Sequence, residues 1–227
     1  MPTLNEGSII SRQIAYLSQM PYPHGHEIIV VDGGSIDGTA AKAVEAGAHV
    51  LSCLKRGRAA QMNAGAHHAR GATLFFLHAD TLPPTHFAEA IEAARIAGYD
   101  SGCFRLSFDF SHWLLNFHCW FTRFNVTQFR FGDQGLFVSK KFFDSVGGFN
   151  EDLQLMEDQE MVVRLRRVCK FKVLDQPVVT SARKYRTNGV FKTQGVFYLI
   201  YFLYTLGFSQ KVLVKVYRNL LIQDKIQ

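Results

Sequence analysis

The feature that most constrains this chain is an alternation in its first hundred residues. Short apolar runs stop at acidic or glycine-rich turns and are separated by helical segments. Glu27-Ile28-Ile29-Val30-Val31 is rich in β-branched residues and stops at Asp32-Gly33-Gly34-Ser35. His49–Ser52 and residues 73–77 are two more such runs, the second leading into His78-Ala79-Asp80. Between them, residues 9–20 set Ile10, Ile14 and Leu17 on one helical face. Residues 39–46 and 59–69 form helices closed by Gly47 and Gly71, and Pro83-Pro84 opens another that runs to about Ala97. Apolar runs without polar alternation belong to strands buried on both faces. Alternating with helices, they predict an α/β fold: a Rossmann-like, mostly parallel sheet with helices on both faces. Such sheets bind ligands beyond the carboxyl ends of their strands.

The second half is less regular. Residues 102–108, 135–138 and 173–179 read as strands, and residues 157–167 as a helix with Met161, Val162 and Leu165 facing inward. Residues 113–131 are dense in aromatics. Trp113, Phe117, Trp120 and Phe121 recur at helical spacing, which favours core packing over a lipid or sugar platform. A chain of 227 residues suits one domain, residues 1–190, with an apolar and basic helical extension, residues 191–227. The chain opens at a loop, residues 2–7, that ordinarily follows a central strand. The first strand is therefore expected to be truncated or missing, its place open or filled from another molecule.

Composition excludes several classes. A hydrophobic share of 48% against 19% charged is not that of a disordered chain. Cys53, Cys103, Cys119 and Cys169 contain no C-x-x-C pair, so neither a disulfide scaffold nor a zinc cluster is expected, and free thiols suit a reducing cytoplasm. The net charge of +6 conceals an asymmetry. Residues 1–163 hold 12 basic and 17 acidic residues, whereas residues 164–227 hold 13 basic residues and only Asp175 and Asp224. A basic tail on an acidic body points to an anionic partner: a phosphate-bearing substrate or a membrane surface. A solubilising surface is the plain alternative, and no nucleic-acid reader motif is present. The apolar stretch 196–208 is shorter than the ~20 residues that span a bilayer. With Lys211, Lys215 and Arg218 beyond it, the extension suits a peripheral membrane contact, a packed helix pair or a homodimer interface. No secretory signal opens the sequence, so the expected location is the cytoplasm, at the inner face of the membrane if the tail docks there.

Several residues have the chemistry of a site. Asp32, at a strand end, can accept a hydrogen bond from a nucleobase N–H or a ribose hydroxyl, or close its own turn; Asp37 suits a helix cap. Lys55-Arg56-Gly57-Arg58 opens a helix, where cations and the helix N-terminus together attract an anion. Asp80 suits a hard divalent cation, Mg²⁺ or Mn²⁺, bridging diphosphate oxygens. His78, two residues away on an extended chain, is a ligand better suited to Mn²⁺ or a hydrogen-bonding neighbour of one. Glu157-Asp158-Gln159-Glu160 complements a helix dipole, and an Asp there can act as general base.

Pro2-Thr3-Leu4-Asn5-Glu6, Val31-Asp32-Gly33-Gly34-Ser35-Ile36-Asp37-Gly38-Thr39, Phe76-Leu77-His78-Ala79-Asp80 and Glu157-Asp158 occur in the order found in family 2 glycosyltransferases of GT-A fold. The sequence resembles that family over about residues 1–185. Gly57-Arg58-Ala59-Ala60-Gln61-Met62-Asn63-Ala64-Gly65-Ala66, Gly132-Asp133-Gln134-Gly135 and Gly147-Gly148-Phe149 resemble its rSAM/selenodomain-associated branch, some members of which are linked to arsenosugar biosynthesis. The resemblance implies a nucleotide pocket lined by Pro2, Thr3 and Glu6, with Asp32 reading the base and Arg58 on the base or diphosphate. It implies Asp80 as the metal ligand and Asp158 as the base of an inverting transfer from a nucleotide-diphospho-sugar to an acceptor hydroxyl. Arg105, Asp133, Gln134 and Glu157 fall where the acceptor or diphosphate is contacted, and Arg183 or Arg186 where a loop closes over the departing nucleotide. Two departures stand out: His78 replaces the first Asp of the family's D-x-D, and Gly33 replaces the second Asp of Asp-Asp-Gly-Ser. A sugar-phosphate nucleotidyltransferase and a catalytically degenerate, membrane-docked binding module are the rival readings.

Overall fold

The computed structural model describes residues 1–53, 55, 57–130 and 132–222; Arg56, Phe131 and Asp224 lie outside the described residues. The first half follows the predicted alternation: β1 (Pro2–Thr3), α1 (Ile10–Ser18), β2 (Ile29–Asp32), α2 (Thr39–Glu45), β3 (His49–Ser52), α3 (Arg58–His68), β4 (Thr73–Phe76), β5 (Thr81–Leu82) and α4 (Phe87–Ile96). Then come β6 (Ser101–Phe108), α5 (Trp113–Phe121), β7 (Leu136–Ser139), α6 (Lys140–Ser145), α7 (Glu157–Val168), β8 (Phe171–Thr180), α8 (Arg183–Asn188), α9 (Val190–Thr205) and α10 (Gln210–Leu220).

The strands form two sheets. β1, β2 and β3 lie side by side and parallel, with Thr3 opposite Asp32 and Asp32 opposite Ser52. The other sheet runs β4-β7-β6-β8-β5 and is mixed: β6 and β8 are parallel, while β7 is antiparallel to both β4 and β6. The parallel pattern thus holds for β1–β3. It gives way where β7, inserted between β4 and β6, runs antiparallel to both. Pro2 and Thr3, expected in a loop, form β1, a short edge strand whose Thr3 carbonyl accepts the Gly33 N–H at 2.9 Å.

Side chains alternate across the mixed sheet, as period-two geometry requires. Phe76, Cys103 and Val138 face Met62, Met161 and Leu165 on α3 and α7. Phe104, Leu106 and Phe137 face Leu17, Phe87 and Ile91 on α1 and α4. A third cluster, Ile10, Ile14, Val30 and Ala43, fixes α1 and α2 to the parallel sheet. Each buried side chain of this size contributes about 1.5–3 kcal/mol, enough to hold the strand ends in register.

Two expectations change. Trp113, Phe117 and Trp120 are 65%, 58% and 45% exposed, so the aromatic stripe of α5 is not core; only Leu115 and His118 on the opposite face are buried. The basic segment after β8 is α8 and not a loop, with Ala182 N–H donating to Asp109 Oδ1 at 2.7 Å before its first turn.

Candidate active site

The carboxyl ends of β1 and β2 are joined by a lattice of local hydrogen bonds. Asp32 accepts the N–H groups of Gly34 and Ser35 at 3.1 and 2.9 Å, and its Oδ1 accepts the Ser35 hydroxyl at 2.5 Å and the Thr3 hydroxyl at 3.4 Å. The turn-closing role open to Asp32 is therefore realised. Asp37 accepts the Thr39 hydroxyl and N–H at 2.5 and 3.1 Å and the Gly7 N–H at 2.8 Å. The Thr39 hydroxyl bond holds its carboxyl below the ordinary range; burial opposes it, and the backbone N–H groups of Gly7 and Thr39 add to the lowering. Asn5, at φ 52°, accepts the Ile36 N–H at 3.0 Å, which locks the Glu6 loop onto the glycine-rich loop.

Gln61 explains the glycine at position 33. Its Nε2 donates to the Thr3 and Val31 carbonyls, both at 2.8 Å, tying α3 to the first two strands. A Cβ on Gly33 would lie 2.9 Å from that nitrogen, so an Asp here would have to push the Gln61 amide off the carbonyls it bridges. Asn63, half a turn on, donates to the Phe149 carbonyl at 2.9 Å and accepts its N–H at 2.8 Å. The glycine and asparagine motifs around Asn63 and Gly147-Gly148-Phe149 are thus one interlocked device.

Beyond the strand ends lies a cluster of paired charges. Arg58, the first residue of α3, meets Glu157, the first residue of α7, at 2.6 Å; Glu157 is 1% exposed. Burial raises the Glu157 pKa, Arg58 opposes the rise, and Asp158 adds to it. Glu157, Asp158 and Asp133 in turn hold the Arg58 guanidinium firmly charged against burial. Asp158 lies directly over Gly132, where a Cβ would come within 2.0 Å of its Oδ2. That contact accounts for the glycine of Gly132-Asp133-Gln134-Gly135. Gln134 is buried and shares with Asp158, Cys103 and Arg130 the walls of a small cavity.

His78 Nδ1 meets Asp133 Oδ1 at 3.1 Å. Burial would raise the Asp133 pKa, yet the His78 bond and charge, with Arg58 and Lys184, hold it at about 2. Burial likewise works to lower the His78 pKa, and Asp133 reverses it into a rise. His78 and Asp80 do not share one side of an extended strand. β4 ends at Phe76, and the chain turns so that the Thr81 N–H donates to the His78 carbonyl at 3.2 Å. Asp80 Oδ2 faces Arg183 at 3.8 Å, and the same guanidinium is 3.7 Å from Glu6 Oε2. Among the described residues no group of three His, Cys, Asp or Glu side chains is placed to hold a metal by itself.

The two other arginines leave the cluster. Arg105 pairs with Asp175, which is 87% exposed. Between Phe104 and Arg105 the register on β8 skips from Leu174 to Pro177, and this bulge pushes Asp175 out beside Arg105. Arg186 donates to the Asp109 carbonyl at 3.0 Å and lies over the Phe110 ring, one helical turn away from the site end of α8. Of the two candidates for the clamp, Arg183 is the one beside the carboxylates. Sequence reasoning missed Gln61 and Arg130. Arg130 is buried and donates to the Thr122, Phe124 and Val126 carbonyls at 2.7, 2.5 and 3.1 Å, shaping the wall beside Asp158. The only signal for it was an arginine in an aromatic stretch without an acidic partner.

The C-terminal helices support the same site. Gln210 Oε1 accepts the N–H groups of Gln154 and Leu155 at 3.1 Å, and its Nε2 donates to the Leu155 carbonyl at 3.2 Å. Met156, at φ 71°, is the residue before Glu157; it packs with Leu155 against Val196, Ile200 and Leu221. A non-glycine residue in the left-handed region persists only where its surroundings over-determine it, and here α9 and α10 provide that constraint.

Solved structures share this architecture. The chain is similar to the mannosyltransferase PcManGT from Pyrobaculum calidifontis, solved in complex with GDP-Man and Mn²⁺, at 18% identity and TM-score 0.71, over 88% of this chain and 60% of that one. It is similar to S. aureus TarS 1–349 at 15% identity and TM-score 0.66, over 95% of this chain and 67% of that one. A third likeness is glucosyl-3-phosphoglycerate synthase from Mycobacterium tuberculosis in complex with Mn²⁺, UDP-Glc and phosphoglyceric acid, at 15% identity and TM-score 0.58, over 78% of this chain and 68% of that one. The fold is that of the GT-A glycosyltransferases. Residues 1–146 match the sequence model of Glycosyl transferase family 2, and the chain belongs to that family. It spans about 60% of the length of the mannosyltransferase. No curated protein sequence matches it.

Proposed function

We propose that the chain transfers a sugar from a nucleotide-diphospho-sugar to an acceptor hydroxyl, with inversion at the anomeric carbon. The observation that carries this reading is the convergence of two charge groups at the strand ends: Asp80, Glu6 and Arg183 on one side, Arg58, Glu157 and Asp158 on the other. β1 with the Leu4–Glu6 loop after it, and the Asp32–Thr39 turn, form the nucleotide side. Asp32 braces that loop through Ser35 and Thr3, and its contact with a base forms from the same rigid turn.

In the proposed reaction Asp158 takes the proton from the acceptor hydroxyl. The acceptor oxygen forms its bond to the anomeric carbon as the bond from that carbon to the diphosphate oxygen breaks. Arg183 and Arg58 offset the charge that builds on the departing diphosphate. Glu157 holds Arg58 in place. Asp133 holds the His78 ring, and with Gln134 it lines the acceptor side. Asp80 is a partly exposed carboxylate at a turn, with Glu6 nearby. That set fits a hard cation carried by one or two carboxylates and the substrate's own phosphates, the usual mode for Mg²⁺ and Mn²⁺. When bound, the cation would neutralise diphosphate charge. His78, turned toward Asp133, takes the role of a hydrogen-bonding neighbour in this reading.

A cytoplasmic location and a homodimer belong to the same proposal, as does a peripheral membrane contact through the basic tail; no helix among the described residues is long and apolar enough to cross a membrane. The test is a panel of nucleotide-sugars, each incubated with Mn²⁺ or Mg²⁺ and with chelator, read as nucleoside diphosphate release. One donor consumed with a cation present supports the reading. No release from any donor, together with no binding of UDP or GDP by calorimetry, refutes it.

A further inference from the structure

The stripe on α5 is half of a larger exposed face. Trp113, Phe117 and Trp120 follow one another at four- and three-residue steps along α5, and Phe191, Tyr198 and Phe202 fall on one side of α9; all six are exposed. The two stripes meet where the Trp113 and Phe191 rings stand 6.0 Å apart. An exposed apolar surface of this kind, rimmed by polar groups, marks an interaction site.

Charge identifies the occupant. The helices that build this face, α5 and α9, contain no Asp or Glu, and the neighbouring Asp109 is paired with Arg186. Two cations sit at the rim: Arg123 lies 4.8 Å over the Trp120 ring and Lys192 is exposed beside Phe191. Aromatic rings that present an apolar body and a polar edge, flanked by cations, match the interfacial zone of an anionic bilayer. The 16-residue α9 is too short to cross it but suits a helix lying in the interface.

We propose that the α5–α9 face docks on the surface of an anionic lipid bilayer, with Arg123 and Lys192 meeting lipid headgroups. This places the membrane contact on the aromatic face of α5 and α9. The face is linked to the candidate site through α8, which carries Arg183 and is tied to α9 by the Tyr185 hydroxyl bond to Gln194 at 2.9 Å. The docking does not depend on the glycosyltransferase reading.

The test uses the whole chain and vesicles of phosphatidylcholine, alone or mixed with phosphatidylglycerol. The chain's two tryptophans, Trp113 and Trp120, are both on the face, so intrinsic fluorescence reports on it specifically. Docking predicts co-sedimentation with the mixed vesicles, weakened by salt, and a blue-shifted emission. A F117S/F202S double variant, altered only at exposed positions, lowers partitioning by about tenfold or more with its melting temperature retained, and R123E/K192E lowers it by a similar factor. Absence of sedimentation and of any emission shift with either vesicle overturns the proposal. So does a blue shift that rises with protein concentration without lipid, accompanied by a dimeric mass that F117S/F202S abolishes; the face would then belong to a second copy.

Discussion

Replacing Gly132 with alanine adds one methyl group directly against the Asp158 carboxylate. The new Cβ would stand 2.0 Å from Oδ2 and 2.7 Å from Cγ, whereas ordinary contact begins at 3.4 Å. The carboxylate oxygen must retreat by about 1.4 Å, or the short helical turn of Gly132–Gln134 must shift by as much. A displacement near 1 Å of a reacting group costs about 10²-fold in rate. Asp158 is only half-buried and can swing aside, so the stability cost stays within the about 1–3 kcal/mol of an overpacked side chain. The account predicts that G132A folds, binds nucleoside diphosphate with unchanged affinity by calorimetry, and loses about a hundredfold in kcat on the donor that the panel identifies. A G132A protein that keeps kcat within a factor of about three would refute the placement of the base over this glycine.

Other perturbations test the supports of the site. R58A leaves Glu157 buried beside Asp158 without its cation; because Arg58 is itself partly exposed, about 2–3 kcal/mol is expected by chemical denaturation, largely recovered in R58A/E157Q. G33A drives a Cβ into Gln61 and should destabilise by about 1–2 kcal/mol, an effect that shrinks when Gln61 is also shortened to alanine. D37N tests linkage. A carboxyl held below its unfolded value adds stability above the ordinary pKa of 3.8 and loses it as pH falls through the folded value. D37N should therefore melt below the wild type at pH 6, and the two curves should converge as pH falls below 3.8. D80N should abolish the cation-dependent part of donor consumption while leaving the melting temperature within a few degrees; unchanged cation dependence would remove Asp80 from the metal's ligands.

Much of the fold was legible because its signals are local. Ile29–Asp32 forms the strand that its β-branched, apolar run predicts, and Ile10, Ile14 and Leu17 are buried together as their helical spacing requires. The turn chemistry of Asp32 and the paired acids at the start of α7 could also be read from spacing. The residues that were misread depend on long-range neighbours. Trp113, Phe117 and Trp120 carry the same periodicity whether their stripe meets a core or solvent, and only the position of α9 decides. His78 turns away from Asp80 because Asp133, 55 positions on, takes its ring. Arg105 leaves the site because a bulge in β8 brings up Asp175, and no periodicity announces a bulge. Gly33, in place of the second Asp of Asp-Asp-Gly-Ser, is a departure in the sequence alone; in the structure its Cα sits against the Gln61 amide.

The central claim is that Asp158 removes the acceptor's proton at a nucleotide-sugar site. Its most direct test is D158N, compared with wild type on the donor that the panel identifies, with binding and turnover measured separately. The account predicts unchanged donor affinity and a fall in turnover of about 10²–10⁴-fold, the usual contribution of a general base. D158N turnover equal to wild type, with the donor bound normally, would contradict it.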